Sequence, residues 1–365
     1  MSLRKLKSML IVAAIAVATV SCKKKDEDLN INYVDGKLGF ELPEFIHPGQ
    51  VLTMTPRGLE HPDGGEIGYY WKVTPTMPNT FDTTRFLNGL DRNGKPSDGS
   101  YTFKFSDTLQ TYTVYCNGFS EGYSTSSVNY KTTAVKPGPE QSIKGIGIDL
   151  DNDPYVKIGG IEYYYTTIGG LDWMRQDLSY SAVGTPFRKS KAMDGVFGLY
   201  FSYEEAIKAC PEGWRLPTDA EWVYLATSFN GNTGNNAIDC NIYIHNTVPG
   251  VAGKLAADAY FNDIKMWEYW PSMGKITNES KMGLIPTGYA NLGPADKDGN
   301  HPSAEFYGTY EYAAYWTADK VEGEDGMAYY RYIYCKNPDL MTAKGDTKTF
   351  GAAVRCVRDL ESSHN

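Results

Sequence analysis

The chain has 365 residues, 41% of them hydrophobic and 22% charged, which is a globular balance, too long for one ordinary core and wrong for disorder or a collagen-like repeat. Aromatic residues reach 13%, led by 28 Tyr, and 37 Gly with 19 Pro interrupt the chain often, so many short strands are expected and an all-helical bundle is not. The formal net charge of −9 repels phosphate backbones, and with no local basic patch to offset it the composition excludes nucleic acid as the expected partner.

Residues 1–21 join a basic start (Arg4, Lys5, Lys7) to an apolar run from Met9 to Val20, long enough for a secretory signal and short for a membrane span. The run ends in Thr19-Val20-Ser21-Cys22, which resembles a bacterial lipobox, although Thr19 departs from the usual Leu. The resemblance implies that Cys22 is lipidated and becomes the mature N-terminus; an uncleaved anchor with an incidental Cys is the other reading. Residues 22–30 carry the charge block Lys23-Lys24-Lys25-Asp26-Glu27-Asp28, a solvated tether. Lys followed by acids just after such a Cys resembles a Bacteroidetes-type surface-export signal. It implies a lipid-anchored protein of the outer membrane exposed on the cell surface, while a generic hydrophilic linker reads equally well.

Residues 31–136 read as an all-β sandwich of about seven strands. Runs rich in β-branched and aromatic residues, Gln50 to Met54, Ile67 to Val73, Tyr101 to Phe105, Tyr112 to Cys116 and Val128 to Thr132, are separated by turn clusters such as Pro62-Asp63-Gly64-Gly65 and Asp91-Arg92-Asn93-Gly94. Trp71 falls in mid-strand, where an inter-sheet Trp packs, and Asp107 ahead of Tyr112 looks like an acidic residue and its corner tyrosine. These features resemble PKD-like or Ig-like modules. Cys116 has no plausible partner in this segment and reads as a small buried hydrophobe. Residues 137–140, Pro137-Gly138-Pro139-Glu140, are the linker.

In residues 141–360, Ser202 with Glu205 and Thr218 with Glu221 have capping-box spacing, so two short helices are expected. In the second, Trp222, Leu225, Ala226 and Phe229 recur at i, i+3, i+4 and i+7 and belong to a core. Strands are expected at Ile161 to Ile168, Ala313 to Thr317, Ala328 to Tyr334 and Ala352 to Arg358, giving an α+β domain with irregular chain between 230 and 310.

Gly170-Leu171-Asp172-Trp173-Met174, Cys210-Pro211-Glu212-Gly213-Trp214-Arg215-Leu216-Pro217-Thr218, Ile285-Pro286-Thr287-Gly288-Tyr289, Tyr315-Trp316-Thr317 and Val354-Arg355-Cys356-Val357-Arg358 occur in that order. Together they resemble the Fibrobacter succinogenes major paralogous domain, which is similar in fold to C-type lectin-like proteins. The run Arg215 to Trp222 also resembles the formylglycine-generating enzymes, which share that fold. The architecture implied is an Ig-like sandwich followed by a C-type lectin-like domain.

That resemblance implies a bridge between Cys210 and Cys356, from helix to terminal strand. Cys240 and Cys335 could form a second bridge, on no ground except that they are left over; Cys116 stays free.

Catalytic chemistry is hard to assemble. The five His (His47, His61, His245, His301, His364) have no metal-ligand spacing, so no metal or other cofactor is expected. Asp149, Asp151 and Asp153 alternate as in a calcium loop, but Pro154 and Gly160 stand where an EF-hand needs Gly and Glu, and a solvated acidic turn is expected instead. Asn337-Pro338-Asp339 reads as a turn. The enzymatic branch of the fold uses paired copper-binding Cys or a His-rich iron site, and neither can be built here. A non-enzymatic binding or adhesion module for glycan or surface protein is therefore expected; the alternatives are an enzyme of the formylglycine-generating type and a structural subunit of a surface or fimbrial assembly. Within the irregular region, Met266-Trp267-Glu268-Tyr269-Trp270-Pro271 supplies flat rings suited to stacking on sugars, so Trp267, Tyr269 and Trp270 are the candidate ligand residues, unless they pin the loop to the core.

Overall fold

The alternating runs of the N-terminal part pair as their patterns predict. In the computed structural model, which describes residues 31–75, 81–135, 143–230, 239–261, 264–268 and 272–360, five strands form one sheet in the order Phe45–Ile46, Ser126–Ala134, Thr111–Phe119, Gly68–Thr74, Phe81–Arg85. All neighbours are antiparallel except Phe45–Ile46, which runs parallel to Ser126–Ala134. Separate ladders join Val51–Met54 to Tyr101–Lys104 and Asp35–Gly39 to Arg57–Glu60. Period-2 alternation sends Tyr69, Trp71 and Val73 from one strand and Tyr112, Val114 and Cys116 from its neighbour into a common core with Leu38, Phe40, Ile46 and Phe105.

Trp71 is fully buried, meets Phe40 edge-on at 4.9 Å and donates its indole N–H to the Gly99 carbonyl at 2.9 Å, so its one polar atom is satisfied. Cys116 lies in the same core, and burial pushes its thiol up to about 12. The Tyr112 hydroxyl corrects one expectation: it bonds Ser106 Oγ (2.5 Å) and Gln110 Nε2 (2.9 Å), while Asp107 stays in solvent, where its charge keeps its hydration.

The structure as a whole is mostly β-strand with few helices. Both capping boxes close: Ser202 Oγ accepts from the Glu205 N–H and the Glu205 carboxylate accepts from the Ser202 N–H at the start of helix Tyr203–Ala209, and Thr218 with Glu221 does the same for helix Asp219–Thr227. Trp222, Leu225 and Ala226 are buried as their spacing requires, but Val223 and Thr227 are buried too, so the second helix is enclosed on most sides. Phe229 lies beyond its end. Two sheets surround these helices. One orders Tyr155–Ile158, Ile161–Ile168, Leu171–Met174 and Val357–Asp359; the other orders Tyr312–Lys320, Met327–Tyr334 and Met341–Asp346.

The expected strand from Ala352 to Arg358 is ladder-paired only from Val357. Residues 352–356 are buried throughout and share their backbone bonds among several elements: Ala352 exchanges with Phe201, Ala353 N–H goes to Ala314, and the Val354 and Cys356 carbonyls accept from Leu178 and Met174. An extended segment threaded through a core finds its partners one at a time and forms no continuous ladder.

Cys210 and Cys356 are joined, tying the end of the first helix to this segment across 146 residues, with Cα atoms 5.8 Å apart. The second expected bridge is not formed. Cys240 Sγ instead contacts Thr227 Oγ1 at 3.2 Å, and Cys335 is a buried thiol pushed up to about 11 by desolvation; both sit against the same core as small apolar groups.

Three arginines, Arg175, Arg331 and Arg355, are fully buried, each beside a carboxylate. Arg331 grips Asp219 through Nε (2.6 Å) and Nη2 (2.5 Å) and bonds the Asn246 and Tyr243 carbonyls. Arg355 Nε bonds Asp177 Oδ1 at 2.5 Å, and its Nη1 bonds the Met282 carbonyl at 2.7 Å. Arg175 holds Asp153 and the Gly147 and Lys281 carbonyls. The acidic turn is therefore not wholly solvated: Asp153 points inward to Arg175 and accepts the Asp149 N–H, which closes the turn.

Closing a loop of 146 residues stabilises by about 5 kcal/mol in the chain-entropy model. A Cys210→Ala, Cys356→Ala form is expected to lose a large part of this in denaturant titration. Non-reducing peptide mapping should return Cys210 joined to Cys356, with Cys116, Cys240 and Cys335 all alkylated as thiols after unfolding; a joined Cys240–Cys335 peptide would contradict the structure.

Candidate functional site: a tyrosine-lined groove

Strand Met327–Tyr334 reads Met-Ala-Tyr-Tyr-Arg-Tyr-Ile-Tyr, and its period of two sets Arg331 and Ile333 on one face and Tyr330, Tyr332 and Tyr334 on the other. The first two have no exposed surface, whereas the three tyrosines are half-buried. Register then adds neighbours: Tyr312 stands opposite Tyr334, and Tyr332 lies between Ala314 and Met341. Tyr312 and Tyr334 stack at 4.4 Å with planes 8° apart.

A row of rings crosses this face. Tyr330 stacks on Phe350 (4.4 Å, 28°), Phe350 on Tyr289 (5.7 Å, 26°) and Tyr289 on Tyr307 (5.9 Å, 29°). Two glycines make the row possible. A Cβ on Gly345 would lie 2.6 Å from the Phe350 ring and 2.8 Å from the Trp316 ring; Gly308, at φ +63°, would press a Cβ to 2.5 Å from the Tyr312 ring.

The outer end of the row opens on a groove of about 430 Å³, walled by Tyr289, Tyr307 and Phe350 and rimmed by Asn291, Lys344, Asp346 and Thr349. Burial, together with neighbouring hydroxyls, pushes Tyr330 up to about 12, and burial raises Tyr312 as well, so these phenols stay neutral and can donate or accept. Tyr307 donates to Glu305, whose carboxylate raises its pKa. Asp346 Oδ1 accepts the N–H groups of Lys348 and Thr349 and the Thr349 hydroxyl, all at 2.9 Å. These bonds, the Lys348 N–H first, hold its carboxyl below the usual range, and the turn they close carries Phe350 to the groove. Lys344 reaches Glu324 at 2.5 Å. Flat apolar rings, neutral hydroxyls, one amide and one charge of each sign make a surface that can stack on and hydrogen-bond an uncharged polyhydroxylated ligand.

Of the ligand residues singled out from sequence, Trp267 alone is described, and it does not line the groove. Trp267 is 1% exposed and belongs to the core with Trp173, Trp222 and Met273, so its faces are covered by protein and it pins the chain instead of meeting a ligand. Tyr269, Trp270 and Cys22 lie outside the described residues. Among the described residues no three His, Cys, Asp or Glu side chains gather as metal ligands. Tyr289, Asn291 and Tyr307 fall in the irregular region where contacts were expected, but Lys344, Asp346 and Phe350 come from beyond it. The Tyr-x-Tyr-x-Tyr alternation at 330, 332 and 334 marks the strand face behind the groove, where Tyr330 stacks on Phe350, but none of the three lines the groove itself.

Residues 166–358 match the family model of the Fibrobacter succinogenes major domain. No curated protein and no solved structure matches the chain.

The Asp346 turn should be pH-sensitive in a defined direction. Its folded carboxyl lies below its unfolded value, so its contribution is complete above the ordinary carboxylate range and is lost as pH falls through the folded value. Acidification below about pH 4 is expected to shift the amide resonances of Thr349 and Phe350. Asp346→Asn should show the acid-form positions already at neutral pH; neutral-pH positions retained in that variant would count against the turn as described.

Proposed function

We propose that this chain, which belongs to the Fibrobacter succinogenes major domain family, is a carbohydrate-binding protein displayed at the cell surface, non-enzymatic in action, with the tyrosine-lined groove as its contact face. One observation carries the reading: a row of aromatic rings reaches solvent at Tyr307, which is 44% exposed, beside a rim of polar and charged side chains. Sugar rings present apolar C–H faces edged by hydroxyls, so a ligand of that chemistry stacks on the rings and bonds the rim at once. A glycan or a protein ligand was open from sequence alone; stacked rings beside an amide, a hydroxyl and one charge of each sign favour glycan.

In this reading residues 31–136 are a PKD-like or Ig-like spacer, supported by the five-stranded sheet closing over Trp71. Residues 141–360 form a C-type lectin-like domain, supported by the bridge from helix end to terminal segment. The lipobox-like segment ending at Cys22 anchors the protein in the outer membrane, and the charged tether of residues 22–30 lifts it from the surface.

Tyr307→Ala and Tyr289→Ala are expected to weaken binding on a glycan array at least about tenfold, with the melting temperature of Tyr307→Ala held because its ring is largely outside the core. A silent array for the wild-type chain, alongside capture of a surface protein that needs Tyr307, would replace glycan by protein as the ligand. For the anchor, metabolic labelling with palmitate should mark the wild-type chain and not Cys22→Ser, and protease shaving of intact cells should release the protein. A labelled Cys22→Ser form would remove the anchor from the proposal.

A further inference from the structure

We infer that the N-terminal part braces the groove from behind through Phe45, so that Phe45 and Phe187 are positioning residues for whatever binds there. The inference rests on the groove being the binding face.

Alternation in strand Phe45–Ile46 buries Ile46 in the N-terminal core and turns Phe45 the other way. The Phe45 ring lies 6.1 Å from Phe187 and 6.4 Å from Phe261, joining a cluster drawn almost entirely from the C-terminal part. Two polar contacts fix it. Ser190 Oγ donates to the Phe45 carbonyl at 2.7 Å, and Arg188 Nη1 reaches both oxygens of the Glu44 carboxylate at 2.7 and 3.1 Å.

The turn so gripped is strained. Arg188 (φ 47°) and Lys189 (φ 60°) are consecutive non-glycine residues in the left-handed region, a conformation that persists only where surrounding contacts hold it. Just ahead of them, Phe187 meets Phe306 edge-on at 5.2 Å. Phe306 is the middle residue of strand Glu305–Tyr307, whose alternation sends Phe306 inward to Phe187 and Tyr307 outward to the groove. The same strand pairs with Tyr289–Asn291, which sets Tyr289 beside Tyr307 in the groove. Tyr310, just beyond it, lies close enough to Arg188 and Glu44 to feel both charges. Contact is therefore continuous from Phe45 through Phe187 and Phe306 to the backbone that aims Tyr307 and Tyr289.

The test is amide hydrogen exchange on the full chain, which needs no ligand, so brace and binding can fail separately. Phe45→Ala should speed exchange in Tyr289–Asn291 and Glu305–Tyr307 roughly three- to tenfold, the factor one lost aromatic pair corresponds to, while Gly68–Thr74 and Thr111–Phe119 keep their protection. Phe45→Tyr keeps the ring and should restore the wild-type pattern. Arg188→Glu should act in the same direction as Phe45→Ala, and pairing it with Glu44→Arg should reverse the change. A folded Phe45→Ala with unaltered exchange in the groove strands overturns the brace. So does a uniform rise across both parts, which would show lost stability without specific coupling.

Discussion

Three guanidinium groups removed from water set the terms on which the C-terminal part folds. A buried charge is tolerated only where a counter-charge and enough hydrogen bonds replace its hydration, and deleting one partner of such a pair costs about 3–5 kcal/mol. Arg175 and Arg331 meet that condition with carboxylates 22 and 112 residues away in sequence plus backbone carbonyls from further loops; Arg355 meets Asp177, 178 residues away, and the Met282 carbonyl, but Arg355 Nη2 and Asp177 Oδ2 carry no hydrogen bond. Each pair has one workable geometry, so each pins several segments that carry little regular structure of their own. Asp219 shows how dense the network is: it opens a helix, takes two bonds from Arg331, accepts the His245 N–H, and donates its own N–H to Asp319.

The groove follows from one of these pairs. Arg331 must face Asp219, and in a strand with a period of two that obliges Tyr330 and Tyr332 to face the other way. A slip of one residue would bury the tyrosines and expose the arginine, so the ion pair and the aromatic face enforce the same register. The row extends past the sheet because the Asp346 turn returns Phe350 over Gly345 and because Gly308 lets Tyr312 lie against the strand that carries Tyr307. The cysteines divide along the same line between latch and filler. Cys210 and Cys356 lock the terminal segment next to Arg355, while Cys116, Cys240 and Cys335 occupy space in apolar surroundings.

Much of this was legible in the order of residues. Period-2 runs announced several strands of each part, capping boxes announced where two helices start, and the motifs around Cys210 and Cys356 announced family and bridge. Each is a local pattern, or one carried by a resemblance, and local patterns survive in the primary sequence because they depend on near neighbours. Residues 352–356 read as a strand because their composition is that of one; they are not ladder-paired because their hydrogen-bond partners arrive singly from four other segments. Trp267 and the Tyr330 series show the same boundary. A tryptophan beside proline looks like a presented ring, and a tyrosine in a strand looks like core, and nothing within ten residues of either says which side of the sheet is covered.

The sequence by itself determined the family, the β-rich character, the starts of the two capped helices and the bridge that closes the C-terminal part, since each depends on spacing or identity along the chain. Only the tertiary structure decided which aromatic rings reach solvent, which thiols stay unbridged, and which carboxylate each buried arginine meets. Those outcomes depend on what packs across from a residue, and the partners come from segments separated by as many as 178 positions, a distance over which the linear order carries no geometric information.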